Sequence, residues 1–244
     1  MLVVAALNGG TTRAEHPAVP LTPRELAAEA KAAAAAGAGA LHLHPRDSAG
    51  EQTLQPEDVL AAVAAVRAAT GLPVGVTTGI WTVAGDVARR LDLMAGWTGP
   101  NRPDFASINL NEPGTDGLAD LLTSLGIEIE AGVWTPDDAT LLGASGFKDR
   151  IKWVLMEPAS LVPAEAQATA TETAAELARL GITARQVRHG YALATWDVLR
   201  AAVAEGQGIR VGLEDTTVLP DGSTAVGNGD LVAAAVQLGA SDLS

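Results

Sequence analysis

The chain of 244 residues is 48% apolar, has a formal net charge of −13 and contains no cysteine. So acidic a chain is poorly suited to nucleic acid or to an anionic membrane surface, and without cysteine it has neither disulfides nor thiolate metal ligands. No stretch reaches the roughly 18 uninterrupted apolar residues of a membrane span. We therefore expect a cytoplasmic protein with small-molecule partners.

Short apolar runs and Ala-rich amphipathic stretches alternate along the whole chain. The predicted strands are residues 2–7, 39–44, 73–77, 104–109, 127–132, 151–156, 185–190 and 209–214. The predicted helices are residues 22–36, 55–69, 82–95, 115–125, 135–144, 163–180, 195–205 and 228–239. Eight such units favour a (β/α)8 TIM barrel forming a single domain over residues 1–244. A doubly wound open sheet is the alternative, but no G-x-G-x-x-G string follows the first strand.

Several predicted helices carry recognisable start and stop signals. Residues 22–25 (Thr-Pro-Arg-Glu) form a capping box with proline at the first helical position, and residues 135–138 resemble it. Glycines that should end helices are Gly37, Gly71, Gly126 and Gly181.

Two histidines alternate at the end of the second predicted strand. Because side chains in a strand alternate with period two, His42 and His44 project from one face. Glu214 ends the eighth strand. Strands 2 and 8 both flank strand 1, so they lie about two strand spacings, or roughly 10 Å, from each other. Two histidines and one carboxylate with an open position form a recurring catalytic zinc or iron site. The barrel therefore predicts a metal site at the carboxyl ends of its strands.

Polar residues also end other predicted strands. Thr77 ends strand 3, and Ser107 and Asn109 share a face at the end of strand 4. A polar layer of this kind is common at the mouth of any barrel. Glu130 is a stronger candidate catalytic residue, because an inward carboxylate without a partner costs several kcal/mol. His189 ends strand 7, where it either lines the pocket or supports a residue that does.

Other charged residues receive more ordinary interpretations. Lys152 falls near the start of strand 6, away from the catalytic face, and is expected to extend its amine to solvent. Arg46 and Asp47 are interpreted as a pair that shapes a loop. In regular strand geometry the adjacent Glu214 and Asp215 face opposite ways, so that one binds metal and the other reaches substrate.

Seven strings of the sequence occur in a recognisable order across nearly the whole chain. They are Thr11-Thr12-Arg13, Pro20-Leu21-Thr22-Pro23, Leu41-His42-Leu43-His44, Thr77-Thr78-Gly79, Ser107-Ile108-Asn109 with Glu128-Ile129-Glu130, and Arg210-Val211-Gly212-Leu213-Glu214-Asp215. With these strings the chain resembles the β-keto acid cleavage enzymes, the family of 3-keto-5-aminohexanoate cleavage enzyme.

The resemblance implies a zinc-dependent TIM barrel that reacts a β-keto acid with acetyl-CoA to give acetoacetate and a new acyl-CoA. It implies that His42, His44 and Glu214 hold the zinc ion. Members of the family tend to be tetramers, so the resemblance also implies a homo-oligomer.

The same resemblance assigns roles to five further residues. Thr77, Ser107 and Asn109 would bind the keto acid. Asp215 would be the base that removes an α-proton, and Arg210 would hold that carboxylate ionised and oriented.

The chain departs from the family pattern in two loops. Gly10 stands where the aminohexanoate enzyme has a glutamate for the substrate's ammonium group. With Ile80 and Trp81 it predicts a mostly apolar or neutral pocket and a substrate without an amine. The loop 156–160 lacks the family's glycines, which leaves the use of CoA open. The alternatives are a metal-dependent aldolase or lyase that works without CoA, and a non-catalytic barrel that binds a small carboxylate.

Overall fold

The computed structural model describes residues 1–241 and is a closed barrel of eight parallel strands, each followed by a helix. The strands are β1 (Val3–Ala6), β2 (Ala40–Leu43), β3 (Val74–Val76), β4 (Phe105–Asn109), β5 (Glu128–Val133), β6 (Ile151–Met156), β7 (Gln186–Arg188) and β8 (Gly208–Val211). The helices are α1 (Pro23–Ala35), α2 (Pro56–Thr70), α3 (Val87–Met94), α4 (Thr115–Leu125), α5 (Pro136–Ala144), α6 (Pro163–Arg179), α7 (Thr195–Ala204) and α8 (Asn228–Ser241). The predicted TIM barrel is confirmed.

The capping signals act as the sequence predicts. Thr22 accepts a hydrogen bond from the amide of Glu25, whose carboxylate accepts one from the amide of Thr22. Thr135 and Asp138 form the same reciprocal pair at the start of α5. The glycines predicted to end helices have φ angles between +67° and +111°, a region that favours glycine, and they are Gly37, Gly71, Gly126 and Gly181.

Two parts of the chain differ from the predicted elements. The predicted helix 82–95 is a 3-10 turn (Ile80–Val83) followed by a break and then α3. The break lies at Ala84, whose φ of +52° is left-handed, and the helix starts afresh where the Asp86 side chain accepts from the amide of Arg89. Strand β8 ends at Val211, three residues before its predicted end. The other predicted helices are confirmed, with ends that differ by one or two residues.

Apolar side chains close the lower end of the barrel interior. A small buried cluster there comprises Val4, Ala40, Phe105, Trp153, Leu155 and Val187. The Phe105 and Trp153 rings meet edge to face with centroids 4.9 Å apart. Gly75 leaves the space for Phe105, because a Cβ on that glycine would lie 2.0 Å from the ring. This floor leaves the carboxyl ends of the strands as the open face.

Lys152 lies outside the catalytic face, as predicted. Its ammonium pairs with the carboxylate of Glu128, which begins β5 at the lower rim of the barrel. Among the described residues 1–241, no helix combines the length and the apolar character needed to cross a membrane.

Candidate active site

Alternation along the strands brings the predicted site residues to one cavity at the carboxyl ends of the barrel. The cavity has a volume of about 360 Å³, which suits a small-molecule ligand. The predicted residues that line it are His42, His44, Thr77, Ser107, Asn109, Arg210 and Glu214. Glu130 is fully buried behind this wall, and Asp215 borders an adjoining groove.

The three predicted metal ligands converge on one point. His44 Nε2 lies 3.4 Å from Glu214 Oε1, and His42 Nε2 lies 3.9 Å from Glu214 Oε2. One ligand atom from each residue falls within 4.8 Å of the others. Glu214 Oε2 is buried and accepts no hydrogen bond from the described part of the chain. A buried carboxylate oxygen without a donor is suited to a cation, so the donor set fits a divalent metal.

The electrostatics of the three residues also suit a cation. Burial lowers the pKa of His42 to about 3, and the attraction of Glu214 does not offset this effect. The imidazole of His42 is therefore neutral and has a lone pair to offer. Burial opposes ionisation of Glu214, but Arg210 and the two histidines outweigh it and hold the pKa of that carboxyl well below its usual range.

Two residues that the sequence analysis did not single out fix the position of His44. Asn8 Oδ1 accepts from the amide of His44, and Asn8 Nδ2 donates to its carbonyl, both at 2.9 Å. Gln52 Oε1 lies 2.6 Å from His44 Nδ1 and also accepts from Trp81 Nε1 at 3.1 Å. Because a carboxamide oxygen only accepts, His44 carries its proton on Nδ1 and directs the lone pair of Nε2 toward Glu214.

Glu130 stands behind the other histidine. Its Oε1 lies 3.7 Å from His42 Nδ1, and its Oε2 accepts from Trp153 Nε1 at 2.5 Å. Burial raises the pKa of Glu130 to about 7, although Arg210 and the hydrogen bond from Trp153 favour its ionised form. At this distance the two atoms are not hydrogen-bonded, but Glu130 stands on the Nδ1 side of His42, where metal-binding histidines commonly have a second carboxylate.

Arg210 connects the metal ligands to the predicted base. Its Nη2 atom donates to Asp215 Oδ1 at 2.7 Å and lies 3.2 Å from Glu214 Oε1. The prediction that Glu214 and Asp215 face opposite ways is wrong, because β8 has ended and the amide of Asp215 turns back to the carbonyl of Gly212. Only glycine fits at the turn, since a Cβ on Gly212 would lie 1.9 Å from the carbonyl oxygen of Ala6.

His189 joins Asp215 to a residue that the sequence analysis missed. Its Nδ1 lies 3.1 Å from Asp215 Oδ1, and its Nε2 lies 2.9 Å from Glu157 Oε2. Burial and Arg210 oppose protonation, but the two carboxylates outweigh them and raise the pKa of His189 to about 9. His189 is therefore a buried imidazolium that supports Asp215. Glu157 was detectable as the inward position two residues beyond Leu155 of β6.

Thr77 directly follows β3, and the other two predicted substrate-binding residues, Ser107 and Asn109, lie beside it on β4. Thr77 and Ser107 present hydroxyl groups to the cavity. Asn109 donates from Nδ2 to Glu112 Oε1 at 2.8 Å, and Glu112 Oε2 accepts from the buried Arg90 at 2.5 Å. The contact between Arg90 and Glu112 could not be predicted from the sequence, because only the fold brings these two residues together.

Most of the residues that line the cavity are apolar or neutral, as expected, but two details differ from the prediction. Gly10 and Trp81 line the cavity as predicted, whereas Ile80 is not part of its lining. Two carboxylates, of Glu15 and Glu157, are also part of the wall. Glu15 lies at the exposed rim, where Thr12 donates to it from the amide at 2.8 Å and from the hydroxyl at 2.7 Å.

The interpretation of Arg46 and Asp47 as an ion pair is also wrong. Arg46 Nη2 donates to the carbonyl of Gly9 at 2.6 Å and so ties the loop after β2 to the loop after β1. Asp47 Oδ1 instead accepts from the amides of Ala49 and Glu51 within its own turn. The two side chains therefore stabilise different parts of the loops around the site.

Comparison with known proteins gives a family and a fold. The family model of beta-keto acid cleavage enzyme matches residues 1–117 and 160–241. The solved structure of ObcA in a binary complex with oxaloacetate has a TM-score of 0.71 and 18% identity over 91% of this chain, which spans 63% of the ObcA chain. A ternary complex of ObcA with a C4-CoA adduct and oxalate has the same scores.

A more distant likeness is to 3-dehydroquinate dehydratase from Geobacillus kaustophilus HTA426. Its TM-score is 0.60 at 13% identity, over 98% of this chain and 90% of that one. At these identities the structural likenesses show a shared fold alone. The family model leaves residues 118–159 unmatched, and this segment holds Glu130 and Glu157.

Proposed function

The chain belongs to the beta-keto acid cleavage enzyme family, and we propose that it reacts a β-keto acid with acetyl-CoA to give acetoacetate and a new acyl-CoA. The observation that carries this proposal is the convergence of His42, His44 and Glu214 beside the Arg210–Asp215 pair. The complexes of ObcA with oxaloacetate and with a C4-CoA adduct support ligands of both classes.

We propose that the metal is Zn²⁺, held by His42, His44 and Glu214. Two imidazoles and one carboxylate form a donor set that catalytic zinc sites use, and the unpartnered Oε2 of Glu214 fits it. When bound, zinc supplies Lewis-acid stabilisation for the enolate of a keto acid. Glu130 then acts through His42 as a positioning residue and does not touch the substrate.

Asp215 is the proposed base. Its Oδ1 is occupied by Arg210 at 2.7 Å and by His189 at 3.1 Å. Its Oδ2 is buried and has no hydrogen-bond partner among the described residues, which leaves this oxygen to accept the proton. Arg210 and His189 together hold this carboxylate in place and fix its direction.

The proposed reaction forms one carbon–carbon bond and breaks another. The proton on the α-carbon of the keto acid moves to Asp215, and the resulting carbon nucleophile attacks the thioester carbonyl of acetyl-CoA, releasing the CoA thiolate. The thiolate adds to the former keto carbon, and the bond between that carbon and the α-carbon breaks. Asp215 returns its proton to the α-carbon, which is now part of acetoacetate. The hydroxyls of Thr77 and Ser107 are the proposed donors to the oxygens of the keto acid.

Metal analysis of three proteins tests the site. Elemental analysis of purified, zinc-treated and desalted wild type is expected to find stoichiometric zinc. The double variant H42A/H44A is expected to lose it. H16A is the matched control, because His16 is also buried but bonds the carbonyl of Ala225 at 2.9 Å, away from the cavity. Unchanged zinc in the double variant would contradict the assignment.

A second candidate function is a metal-dependent lyase that cleaves the keto acid without CoA. The loop after β6 favours it, because residues 156–160 contain none of the glycines that the family resemblance implies there, and the family model does not match residues 118–159. Product formation from a 3-oxo acid in the absence of acetyl-CoA distinguishes the lyase from the proposed transferase.

A further inference from the structure

The wall of the cavity opposite the metal ligands carries two oxygens that have no hydrogen-bond donor among the described residues. Asn109 Oδ1 and Glu157 Oε1 each lie 2.7 Å from the point where a Cβ on Gly132 would stand. They are therefore at most 2 × 2.7 = 5.4 Å apart. Within residues 1–241, neither oxygen accepts a hydrogen bond. We call these two oxygens the acceptor pair.

The first oxygen is held in place from behind. Asn109 Nδ2 donates to Glu112 Oε1 at 2.8 Å, and Glu112 is itself fixed by Arg90. Because an ionised carboxylate only accepts, Glu112 requires the amide nitrogen of Asn109 on its side. The carbonyl oxygen of Asn109 is therefore turned toward the cavity.

The second oxygen is held by His189. Glu157 Oε2 lies 2.9 Å from His189 Nε2, and the other ring nitrogen of His189 faces Asp215. This contact uses one carboxylate oxygen and leaves Oε1 to the cavity. Gly132 is needed between the two side chains, because a Cβ there would collide with both oxygens.

From the acceptor pair we infer that the substrate carries a hydrogen-bond donor, a hydroxyl or an ammonium group, on its chain beyond the keto carbon. The inference rests on the proposed function, because it names the substrate class of the same site. An apolar chain would leave both acceptors without a donor from the ligand, and a second carboxylate on the substrate would be repelled by the Glu157 carboxylate. Recognition of such a group also explains why Glu157 and Asn109 are each fixed from behind.

Binding of unreactive acids to the zinc-loaded protein tests the inference. The probes are hexanoate, adipate, and hexanoates with a hydroxyl or an amino group on carbon 4, 5 or 6, measured by isothermal titration calorimetry. At least one hydroxyl or amino acid is expected to bind about tenfold more tightly than hexanoate, and adipate is expected to bind most weakly. The tighter series identifies the donor as hydroxyl or ammonium. Hexanoate binding as tightly as every substituted acid would overturn the inference.

Three variants show whether the acceptor pair is responsible. In E157Q the amide oxygen is expected to face His189, which places the NH₂ group in the cavity and replaces an acceptor with a donor. N109L removes the other acceptor. Both variants are expected to lose the preference of about tenfold for the substituted acid over hexanoate, measured as the ratio of the two affinities within each variant.

The matched control is E15Q, which removes the same charge from the rim of the same cavity. This variant is expected to keep the preference. An equal loss in E15Q would mean that general charge causes the preference, and the inference would be wrong.

The failure of this inference is distinguishable from the failure of the proposed function. The binding probes cannot react, so a preference for the donor without turnover of any 3-oxo acid would contradict the proposed function alone. Cleavage of 3-oxohexanoate at least as fast as its hydroxyl and amino analogues would contradict the inference alone.

Discussion

The buried imidazolium of His189 makes the protein less stable as the pH rises. Its pKa rises from 6.5 to about 9 because Asp215 and Glu157 outweigh burial and Arg210. The folded state therefore binds the proton more tightly than the unfolded state does. The resulting stabilisation is fully present below pH 6.5 and is lost as the pH rises through 9. At about 1.4 kcal/mol for each tenfold change in proton affinity, it amounts to about 3 kcal/mol.

Replacing His189 with glutamine removes this contribution. Denaturant unfolding of metal-free protein at pH 6 and at pH 9.5 should show wild type losing about 3 kcal/mol more than H189Q. H16Q is the control, because the ring of His16 is also buried but, among the described residues, bonds the backbone of Ala225 and Ala18 and no carboxylate. Equal pH dependence in wild type and H189Q would refute the bridge between the two carboxylates.

Further substitutions test other parts of the structure. E130Q should weaken zinc binding about 10- to 100-fold in competition with a chelator, because His42 loses its orienting carboxylate; equal affinity would show that Glu130 does not act through His42. R90M leaves the carboxylate of Glu112 without its cation and should reduce the free energy of unfolding by about 3–5 kcal/mol in urea. T22A removes the capping box of α1 and should reduce it by about 1 kcal/mol, measured by thermal unfolding.

The barrel and most of its elements could be predicted because their signals are local. Capping residues such as Thr22 and helix-ending glycines act on their own neighbours, and alternation correctly placed His42 and Asn109 on the inner wall. The zinc and acetyl-CoA that the family resemblance implies stay proposals, and so does the tetramer.

The parts that could not be predicted depend on contacts between distant residues. The turn that brings Asp215 and Glu214 to one guanidinium exists because Gly212 passes close to the carbonyl of Ala6 on β1. Strand periodicity contains no information about that crossing. The pairing of His189 with Glu157 likewise joins residues 32 positions apart and appears only when β6 and β7 lie together.

An isotope experiment shows whether acetyl-CoA takes part in the cleavage. Zinc-loaded protein is incubated with a panel of 3-oxo acids, with and without acetyl-CoA carrying ¹³C at both acetyl carbons, and the products are identified by mass spectrometry. We expect acetoacetate containing both labelled carbons and an unlabelled new acyl-CoA, formed only when acetyl-CoA is present. Cleavage without acetyl-CoA, or acetoacetate without the label, would contradict the proposed reaction.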